Sequence, residues 1–244
     1  MSFMCFVYTC WQSDINSEPI MSLTPHYPCI VLGAGPTGLL LASLLRSVLP
    51  GSMSLALINN KAIDLPPLPP QHEHKYKHPP KPDLRNYALS PASISLISRS
   101  LGAWPRMVAN NKTSPYSRMQ VWESSGTGII HFDTSDYGSK DVAPLPYLGA
   151  VVEDKVLTTE LAADVLSSDT HVIAPAAVKS ISNSPDSTLT TITFDDETSV
   201  TTSLLFACDG ANSFAKTSAT QIETKSHPYE RKALVATVKG ERAK

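Results

Sequence analysis

The sequence predicts an α/β fold with a parallel sheet at its core. Residues 29–32, Cys-Ile-Val-Leu, form a short apolar run rich in β-branched side chains, which is typical of a buried parallel strand. A glycine-rich turn and a series of helix-forming residues follow, and a second apolar run at 54–58 completes a strand–helix–strand unit. With 244 residues, 42% of them hydrophobic, the chain is long enough to bury a sizeable core.

Composition excludes several other classes of protein. The net charge of −2 gives no broad electrostatic reason to expect a nucleic-acid partner. The 4 cysteines are widely spaced and form neither a disulfide framework nor a paired zinc motif, so we predict reduced thiols and no metal site. The longest uncharged stretch is interrupted by Gly and Pro, which argues against a membrane-spanning helix. No Lys or Arg precedes Arg46, so no clear transit peptide is visible.

The turn after the first strand reads Gly33-Ala-Gly35-Pro36-Thr37-Gly38. In such a turn, the first glycine permits a sharp exit from the strand and the second lets the backbone approach a diphosphate. The third lets the helix pack close to the strand, with its N-terminal amides facing the phosphates. The strand–helix–strand context therefore predicts a dinucleotide site at this turn. The alternative is a glycine-rich turn in an ordinary α/β core.

The second strand does not end in the acidic residue that usually accepts hydrogen bonds from the adenosine ribose. Asn59 occupies that position and Asn60 follows it. An amide oxygen can accept one such bond, but without charge assistance the contact is weaker. We therefore expect a reduced affinity at the ribose end of the site.

An insertion at residues 64–82 is rich in proline and histidine and is predicted to be extended and solvated. Its histidines, His72, His74 and His78, have no preformed geometry for a metal.

A helix is predicted to begin with Ser90 as N-cap and Pro91 as its first residue. Its apolar face is predicted to hold Ile94, Ile97 and Leu101, and Gly102 to end it.

Further along, residues 119–123 and 129–132 alternate around a glycine-containing turn and predict a β-hairpin. Glu153-Asp154 is predicted to cap a helix with Leu157, Leu161 and Val165 on one face. Strands are predicted at 171–174, 178–181, 189–194 and 203–207.

The last of these strands leads into Asp209-Gly210-Ala-Asn-Ser213. A carboxylate at the carboxyl end of a buried strand lies where α/β sheets bind ligands. The alternative interpretation is an ordinary Asx-turn.

Three motifs in this order, Gly33-x-Gly35-x-x-Gly38, Asp83-x-Arg85-x-x-Ala-Leu-Ser90 and Asp209-Gly210-Ala-Asn-Ser213, resemble the FAD-dependent aromatic hydroxylases of the p-hydroxybenzoate hydroxylase superfamily. The segments around them are similar to the ubiquinone-biosynthesis hydroxylases, and most similar to their eukaryotic, mitochondrial branch. The resemblance runs from about Cys29 to the end of the chain and leaves out the proline-rich insertion.

The resemblance implies roles for particular residues. The turn with Gly33, Gly35, Pro36, Thr37 and Gly38 would hold the FAD diphosphate, and Asn59 would stand at the ribose. Arg85 would reach the FAD phosphate or ribityl chain, Asp154 would begin the helix beside the flavin, and Asp209 and Gly210 would support the cofactor. Lys216 replaces an arginine common in the family, which weakens that contact because lysine lacks the bidentate fork. No residue is assigned a catalytic role.

The implied fold is a Rossmann-like FAD-binding domain with a parallel sheet, plus part of a mixed β-sheet substrate domain as in p-hydroxybenzoate hydroxylase, truncated. The expected organisation has an N-terminal tail (1–27), two parts of the FAD-binding domain (28–105 and 148–218), a substrate-side β segment (106–147) and an incomplete substrate-domain sheet (219–244). Motifs from the family's second half do not occur, so we expect an N-terminal portion with weak FAD retention and little turnover alone.

The implied activity is an FAD-dependent monooxygenase that hydroxylates the aromatic ring of a polyprenylated phenol in ubiquinone biosynthesis. The expected partners are that phenol, an electron donor (NAD(P)H or ferredoxin) and other ubiquinone-biosynthesis proteins, with peripheral membrane association on the matrix side of the mitochondrial inner membrane. Two alternatives remain open at this point: a non-catalytic binding module of a ubiquinone-biosynthesis complex, and an NAD(P)-dependent oxidoreductase.

Overall fold

The computed structural model describes residues 6–9, 24–63, 65, 83–137, 146–183, 188–218, 225, 227–230 and 233–236. Apart from residue 65, the insertion at 64–82, with His72, His74 and His78, lies outside these residues. Contacts divide the chain into two compact units. We call them the sheet unit (Ser2–Pro66 and Leu161–Glu230) and the hairpin unit (Pro67–Glu160 and Arg231–Lys244). The domain boundaries expected from the sequence stay a prediction.

The elements follow one another along the chain in a mixed α/β order. The strands are β1 (Phe6–Thr9), β2 (His26–Leu32), β3 (Leu55–Ile58), β4 (Asn86–Leu89), β5 (Ser114–Tyr116), β6 (Arg118–Trp122), β7 (Ile129–Asp133), β8 (Gly149–Glu153), β9 (His171–Ile173), β10 (Val178–Asn183), β11 (Thr190–Phe194) and β12 (Ser199–Ala207). The helices are α1 (Pro36–Val48), α2 (Pro91–Ser98), α3 (Ala103–Ala109), α4 (Asp154–Leu166) and α5 (Phe214–Ser218).

The sheet unit is built on a seven-stranded sheet with the order β10–β11–β12–β2–β3–β9, and β1 pairs with β12 as well. Strands β12, β2, β3 and β9 are parallel to one another, whereas β10, β11 and β12 form an antiparallel meander. The predicted parallel core is confirmed. Ile30, Val31 and Leu57 are fully buried, as expected of a sheet covered on both faces.

Helix α1 packs against the strands on either side of it in sequence, with Gly38, Leu39, Ala42 and Ser43 buried. The Ser43 hydroxyl donates to Asp164 Oδ2 at 3.3 Å, which ties α1 to the second half of α4 within the sheet unit. At the other end of α1 the buried Arg46 side chain donates to the Met53 carbonyl at 2.9 Å. These bonds fix the direction in which α1 leaves the sheet.

The hairpin unit contains a three-stranded antiparallel sheet, β4–β8–β5, and the separate β6–β7 hairpin. The hairpin confirms the prediction for residues 119–132. The register pairs Met119 with Phe132 and Val121 with Ile130, so these four apolar side chains share one face. Val121 and Ile130 are exposed, at 47% and 57%.

Two sequence expectations in the hairpin unit are wrong. Gly102 does not end α2, which stops at Ser98. The hydroxyl of Ser100 donates to the Ile97 carbonyl at 2.6 Å and so takes one of the carbonyls left free at that helix end. Gly102 instead precedes α3, with φ of 139°, a conformation that favours glycine. Leu101, expected on the buried face, is 45% exposed, because the helix has ended before it.

The helix predicted at Glu153-Asp154 exists, but it is capped differently. Glu153 is the last residue of β8, and Asp154 is the first residue of α4. Asp83 supplies the cap, because its Oδ2 accepts a hydrogen bond from the Lys155 amide at 3.2 Å.

No helix within the described ranges is long and apolar enough to cross a membrane. The same ranges contain no cluster of three or more His, Cys, Asp or Glu side chains suited to a metal.

Candidate functional site

The glycine-rich turn lies at the carboxyl end of β2, between β12 and β3 in the sheet. The Gly33 amide donates to the Ile58 carbonyl at 2.8 Å, and the Cys208 amide donates to the Leu32 carbonyl at 2.8 Å. The ends of three neighbouring parallel strands are therefore joined by backbone hydrogen bonds. This is the edge of an α/β sheet at which ligands bind.

Two glycines in the turn are required by close packing. Gly33 has φ of 103°, and a Cβ there would lie 2.5 Å from the Cys208 carbonyl oxygen. A Cβ on Gly38 would overlap the carbonyl oxygen of Gly33 and lie 3.2 Å from Cys208 Cβ. Because the obstructing atoms belong mainly to the backbone, neither position can relax by moving a flexible side chain. These glycines let α1 start directly behind β2.

Gly35 differs from both of its neighbours in the motif. Its φ of −74° suits any residue, and a Cβ built there meets no atom within 4 Å. Gly35 is the N-cap of α1, has no side chain to bond the first-turn amides, and is followed by Pro36 and Thr37 in a first turn without acidic residues. The positive end of the helix dipole is therefore not neutralised by the helix itself, and an anion can approach the backbone here.

Asn59 fixes the neighbouring turn. Its Oδ1 accepts from the Ala34 amide at 3.0 Å, and its Nδ2 donates to the Lys61 carbonyl at 2.7 Å. Its own amide donates to the Ile173 carbonyl at 3.1 Å, at the end of β9. Asn59 thus connects the glycine turn to the ends of β3 and β9. The Oδ1 atom keeps one lone pair for a further donor.

These groups line one cavity of about 370 Å³, within the range of small-molecule sites. All of its lining residues belong to the sheet unit. They come from the ends of β2, β3 and β12 and from the start of β10: Leu32, Gly33, Ala34, Gly35, Ile58, Asn59, Asn60, Ala176, Ala177, Val178, Cys208, Asp209, Gly210, Asn212 and Phe214.

Asp209 also lines the cavity, and its carboxylate organises the turn that follows β12. Oδ1 accepts from the Ser213 hydroxyl at 2.6 Å and Oδ2 from the Ala215 amide at 3.0 Å. The Asx-turn interpretation and the ligand interpretation are compatible, because each oxygen keeps a lone pair. Gly210, with φ of 92°, is exposed and needs a conformation that favours glycine.

The hairpin unit holds the other two predicted site residues. The Arg85 guanidinium lies 3.7 Å from Asp154 Oδ2, and the Arg85 side chain is 69% exposed. The Tyr87 hydroxyl donates to Asp154 Oδ1 at 2.8 Å. Burial, and then the bond to Asp154, raise the pKa of Tyr87. The Arg85 and Lys155 amides hold the pKa of Asp83 below its ordinary value.

The predicted site residues are divided between the two units. Gly33, Gly35, Asn59, Asp209 and Gly210 line the cavity, and the motif continues through Pro36, Thr37 and Gly38 into α1. Arg85 and Asp154 form their own cluster in the hairpin unit. Sequence reasoning missed the lining segment Ala176–Val178. The signal was available, because that segment follows β9, a further parallel strand whose carboxyl end meets the same edge.

Comparison with known proteins gives related sequences, although no family model matches the chain. The mitochondrial ubiquinone biosynthesis monooxygenase COQ6 of Dictyostelium discoideum is 24% identical over 96% of this chain and 46% of its own length. The Drosophila melanogaster protein of the same name is 28% identical over 88% of this chain and 42% of its length. The chain resembles the ubiquinone-biosynthesis monooxygenases. The resemblance predicted from the motifs is therefore confirmed, and the chain spans less than half the length of these relatives.

Solved structures agree on the fold. A "probable FAD-dependent monooxygenase from Pseudomonas aeruginosa", PqsL, superposes with a TM-score of 0.60 at 13% identity, over 84% of this chain and 48% of that one. CabE, an aromatic hydroxylase from angucycline biosynthesis, gives a TM-score of 0.53 at 17% identity, over 79% of this chain and 33% of that one. At these identities the match concerns the fold alone, and it confirms the predicted α/β fold built on a parallel sheet.

Proposed function

We propose that this chain provides the nucleotide-binding part of an FAD-dependent monooxygenase. The observation that carries the proposal is the open backbone at Gly35, the N-cap of α1, where no protein atom lies within 4 Å of an added Cβ. A glycine with open space at the start of this helix lets a diphosphate approach the backbone closely.

The residues of the cavity fit the diphosphate and adjoining groups of FAD. The α1 amides after Gly35 hold the diphosphate, Asn59 stands at the ribose, and Asp209 with Gly210 borders the ribityl side. On the family resemblance alone, Arg85 is also proposed to bind the FAD phosphate or ribityl chain, and Asp154 to begin a helix beside the flavin. When bound, FAD supplies the redox chemistry with oxygen, and the protein binds it, orients it and keeps water out.

The wider role follows from the names of the relatives. By their likeness we propose that the substrate is a polyprenylated phenol of ubiquinone biosynthesis, hydroxylated on its ring with electrons from NAD(P)H or a ferredoxin. The mitochondrial names support a mitochondrial location. The matrix face of the inner membrane, with peripheral association and other ubiquinone-biosynthesis proteins as partners, is the finer part of this proposal.

Competition binding tests the nucleotide assignment. The full chain is titrated with FAD, followed by flavin fluorescence, and the complex is then challenged with ADP or AMP. Because the site is built for a diphosphate, we expect ADP to displace FAD and AMP to be at least about tenfold weaker, equivalent to about 1.4 kcal/mol. Absence of FAD binding, or displacement by AMP as readily as by ADP, would overturn the assignment.

Oxygen labelling tests the reaction. The chain is supplied with FAD, a reductant, a polyprenylated phenol and ¹⁸O₂, and the mass of the product is measured by mass spectrometry. A product heavier by one labelled oxygen supports the monooxygenase. Because the chain is proposed as the nucleotide-binding part alone, we expect it to bind the flavin and to give little labelled product. Abundant labelled product would contradict this limit and show that the chain performs the whole reaction.

A further inference from the structure

The ribose end of the cavity differs chemically from the usual dinucleotide site. In parallel dinucleotide-binding sheets, a carboxylate at the end of the second strand accepts hydrogen bonds from the ribose hydroxyls, whereas a nearby cation accommodates a 2′-phosphate. Here the sequence at the end of β3 is Asn59-Asn60-Lys61. Asn59 and Asn60 line the cavity and Lys61 is exposed.

The amide of Asn59 explains why no carboxylate stands there. Asn59 accepts a hydrogen bond from Ala34 and donates one to the Lys61 carbonyl. A carboxylate could accept the first bond but could not donate the second, and it would instead face the Lys61 carbonyl oxygen. The turn that carries Lys61 is therefore held by a neutral residue, and the site gives up the usual negative charge at the ribose.

The remaining charges favour an anion at this end. Among the described residues that line the cavity, Asp209 is the only acid, and both of its oxygens already accept bonds from Ser213 and Ala215. No carboxylate in the described part of the chain forms an ion pair with Lys61. Lysine binds phosphate as a point charge, so an exact fork geometry is not needed.

From this arrangement we infer that the cavity accepts adenine dinucleotides that carry a phosphate on the ribose 2′-oxygen, with Lys61 as the cation and Asn59 as the residue that positions it. The inference rests on the proposed function, because it concerns the ribose end of the same nucleotide site. It adds a second ligand class, the 2′-phosphorylated nicotinamide dinucleotides, which would compete with FAD for this cavity.

Isothermal titration of the full chain with ADP-ribose and with 2′-phospho-ADP-ribose tests it. Because an exposed lysine–phosphate contact is screened, we expect the 2′-phosphorylated probe to bind roughly two- to fivefold more tightly, and the preference to shrink as salt is raised. Lys61→Gln should abolish the preference. Lys225→Gln, the same change at an exposed residue of the sheet unit outside every helix and strand, should leave it intact.

A second variant tests the role of Asn59. Asn59→Asp keeps the acceptor for the Ala34 amide but adds a negative charge at the ribose, so it should reverse the preference by about tenfold in favour of ADP-ribose. Circular dichroism of both variants checks that the fold is kept.

The outcomes separate the two proposals. Binding of ADP-ribose as tightly as the 2′-phosphorylated probe, or more tightly, would overturn this inference and leave the nucleotide site standing. A preference that survives Lys61→Gln would equally overturn the assignment to Lys61. Failure of both probes to bind would overturn the nucleotide site itself and the inference with it.

Discussion

The pair β2–β3 and the pair β6–β7 both contain apolar β-branched residues but differ in their surroundings. Val31 and Leu57 in the sheet unit are fully buried, whereas Val121 and Ile130 in the hairpin unit are 47% and 57% exposed. Apolar β-branched residues therefore specify a strand in both places, but burial depends on what covers the strand. In the described part of the sheet unit, β3 is buried along its whole length, and the carboxyl ends of β2 and β3 border the cavity.

The two units also differ in how their polar sites are made. The glycine turn that borders the cavity of the sheet unit is packed backbone against backbone at Gly33 and Gly38, where a Cβ would meet main-chain atoms. The cluster in the hairpin unit is formed by side chains, with Tyr87 and Arg85 converging on Asp154. Substitutions should therefore have large effects in the first unit and graded effects in the second.

The largest contrast is expected in the cores. Leu57→Ala in β3 removes a fully buried side chain and should lower the free energy of unfolding by about 4 kcal/mol. Ile130→Ala in β7 removes a half-exposed one and should cost about 1 kcal/mol or less. Urea denaturation of both variants measures the difference. Equal losses would show that the hairpin is covered as well as the sheet.

The next effect concerns the glycine turn. Gly38→Ala places a Cβ against the Gly33 carbonyl oxygen, and we expect a loss of about 3 kcal/mol because backbone must move. Chemical denaturation measures it. An alanine variant as stable as the wild type would mean that α1 does not start against β2 as described.

Asn59→Ala tests whether the Asn59 side chain stabilises the glycine-rich turn through its hydrogen bonds. It removes one bond accepted from Ala34 and one donated to the Lys61 carbonyl, and each is worth about 1 kcal/mol, so the expected loss is about 1–2 kcal/mol. Hydrogen exchange at the Ala34 amide should also become faster. Unchanged exchange would show that Asn59 does not hold this turn.

In the hairpin unit, Tyr87→Phe removes the bond from the hydroxyl to Asp154 while keeping the ring. We expect a loss of about 1 kcal/mol. In the wild type, ultraviolet titration should give a Tyr87 pKa above the ordinary value near 10, because burial and the bond to Asp154 oppose ionisation. An ordinary pKa would contradict this packing.

The smallest effect is the acid dependence of the helix cap. The pKa of Asp83 is lowered by the Arg85 and Lys155 amides, so its contribution is present above the ordinary value of 3.8 and is lost as the pH falls through the lower folded value. Carbon-13 NMR of the side chain measures this pKa. Asp83→Asn should remove this part of the acid dependence, and an Asp83 pKa at or above 3.8 would refute the cap.

Sequence reasoning predicted the sheet unit better than the hairpin unit, for a physical reason. The glycine motif and the apolar runs act locally, so β2, α1, β3 and the turn at Asp209 could be predicted from neighbouring residues. Strand β8 pairs with β4 and β5, which come from distant parts of the chain, and its pattern alone does not reveal those partners. The same holds for the Asp83 cap, which is far in sequence from Lys155.

The candidate site was predicted unevenly in the same way. The residues that line the cavity through their backbone follow from the motif. The double hydrogen bond of Asn59 does not, because its two partners, Ala34 and Lys61, are fixed only once β2 and β3 lie side by side. Asn59, which the sequence suggested only as a weaker ribose ligand, also stabilises the turns at Ala34 and Lys61 through its side-chain hydrogen bonds.

We assign the open space at Gly35 to a nucleotide diphosphate, and the affinity of Gly35→Ala for FAD tests this assignment. The new methyl group meets no protein atom within 4 Å, so we expect a melting temperature close to that of the wild type together with at least a tenfold loss of FAD affinity, about 1.4 kcal/mol. A folded Gly35→Ala protein that binds FAD as tightly as the wild type would contradict it.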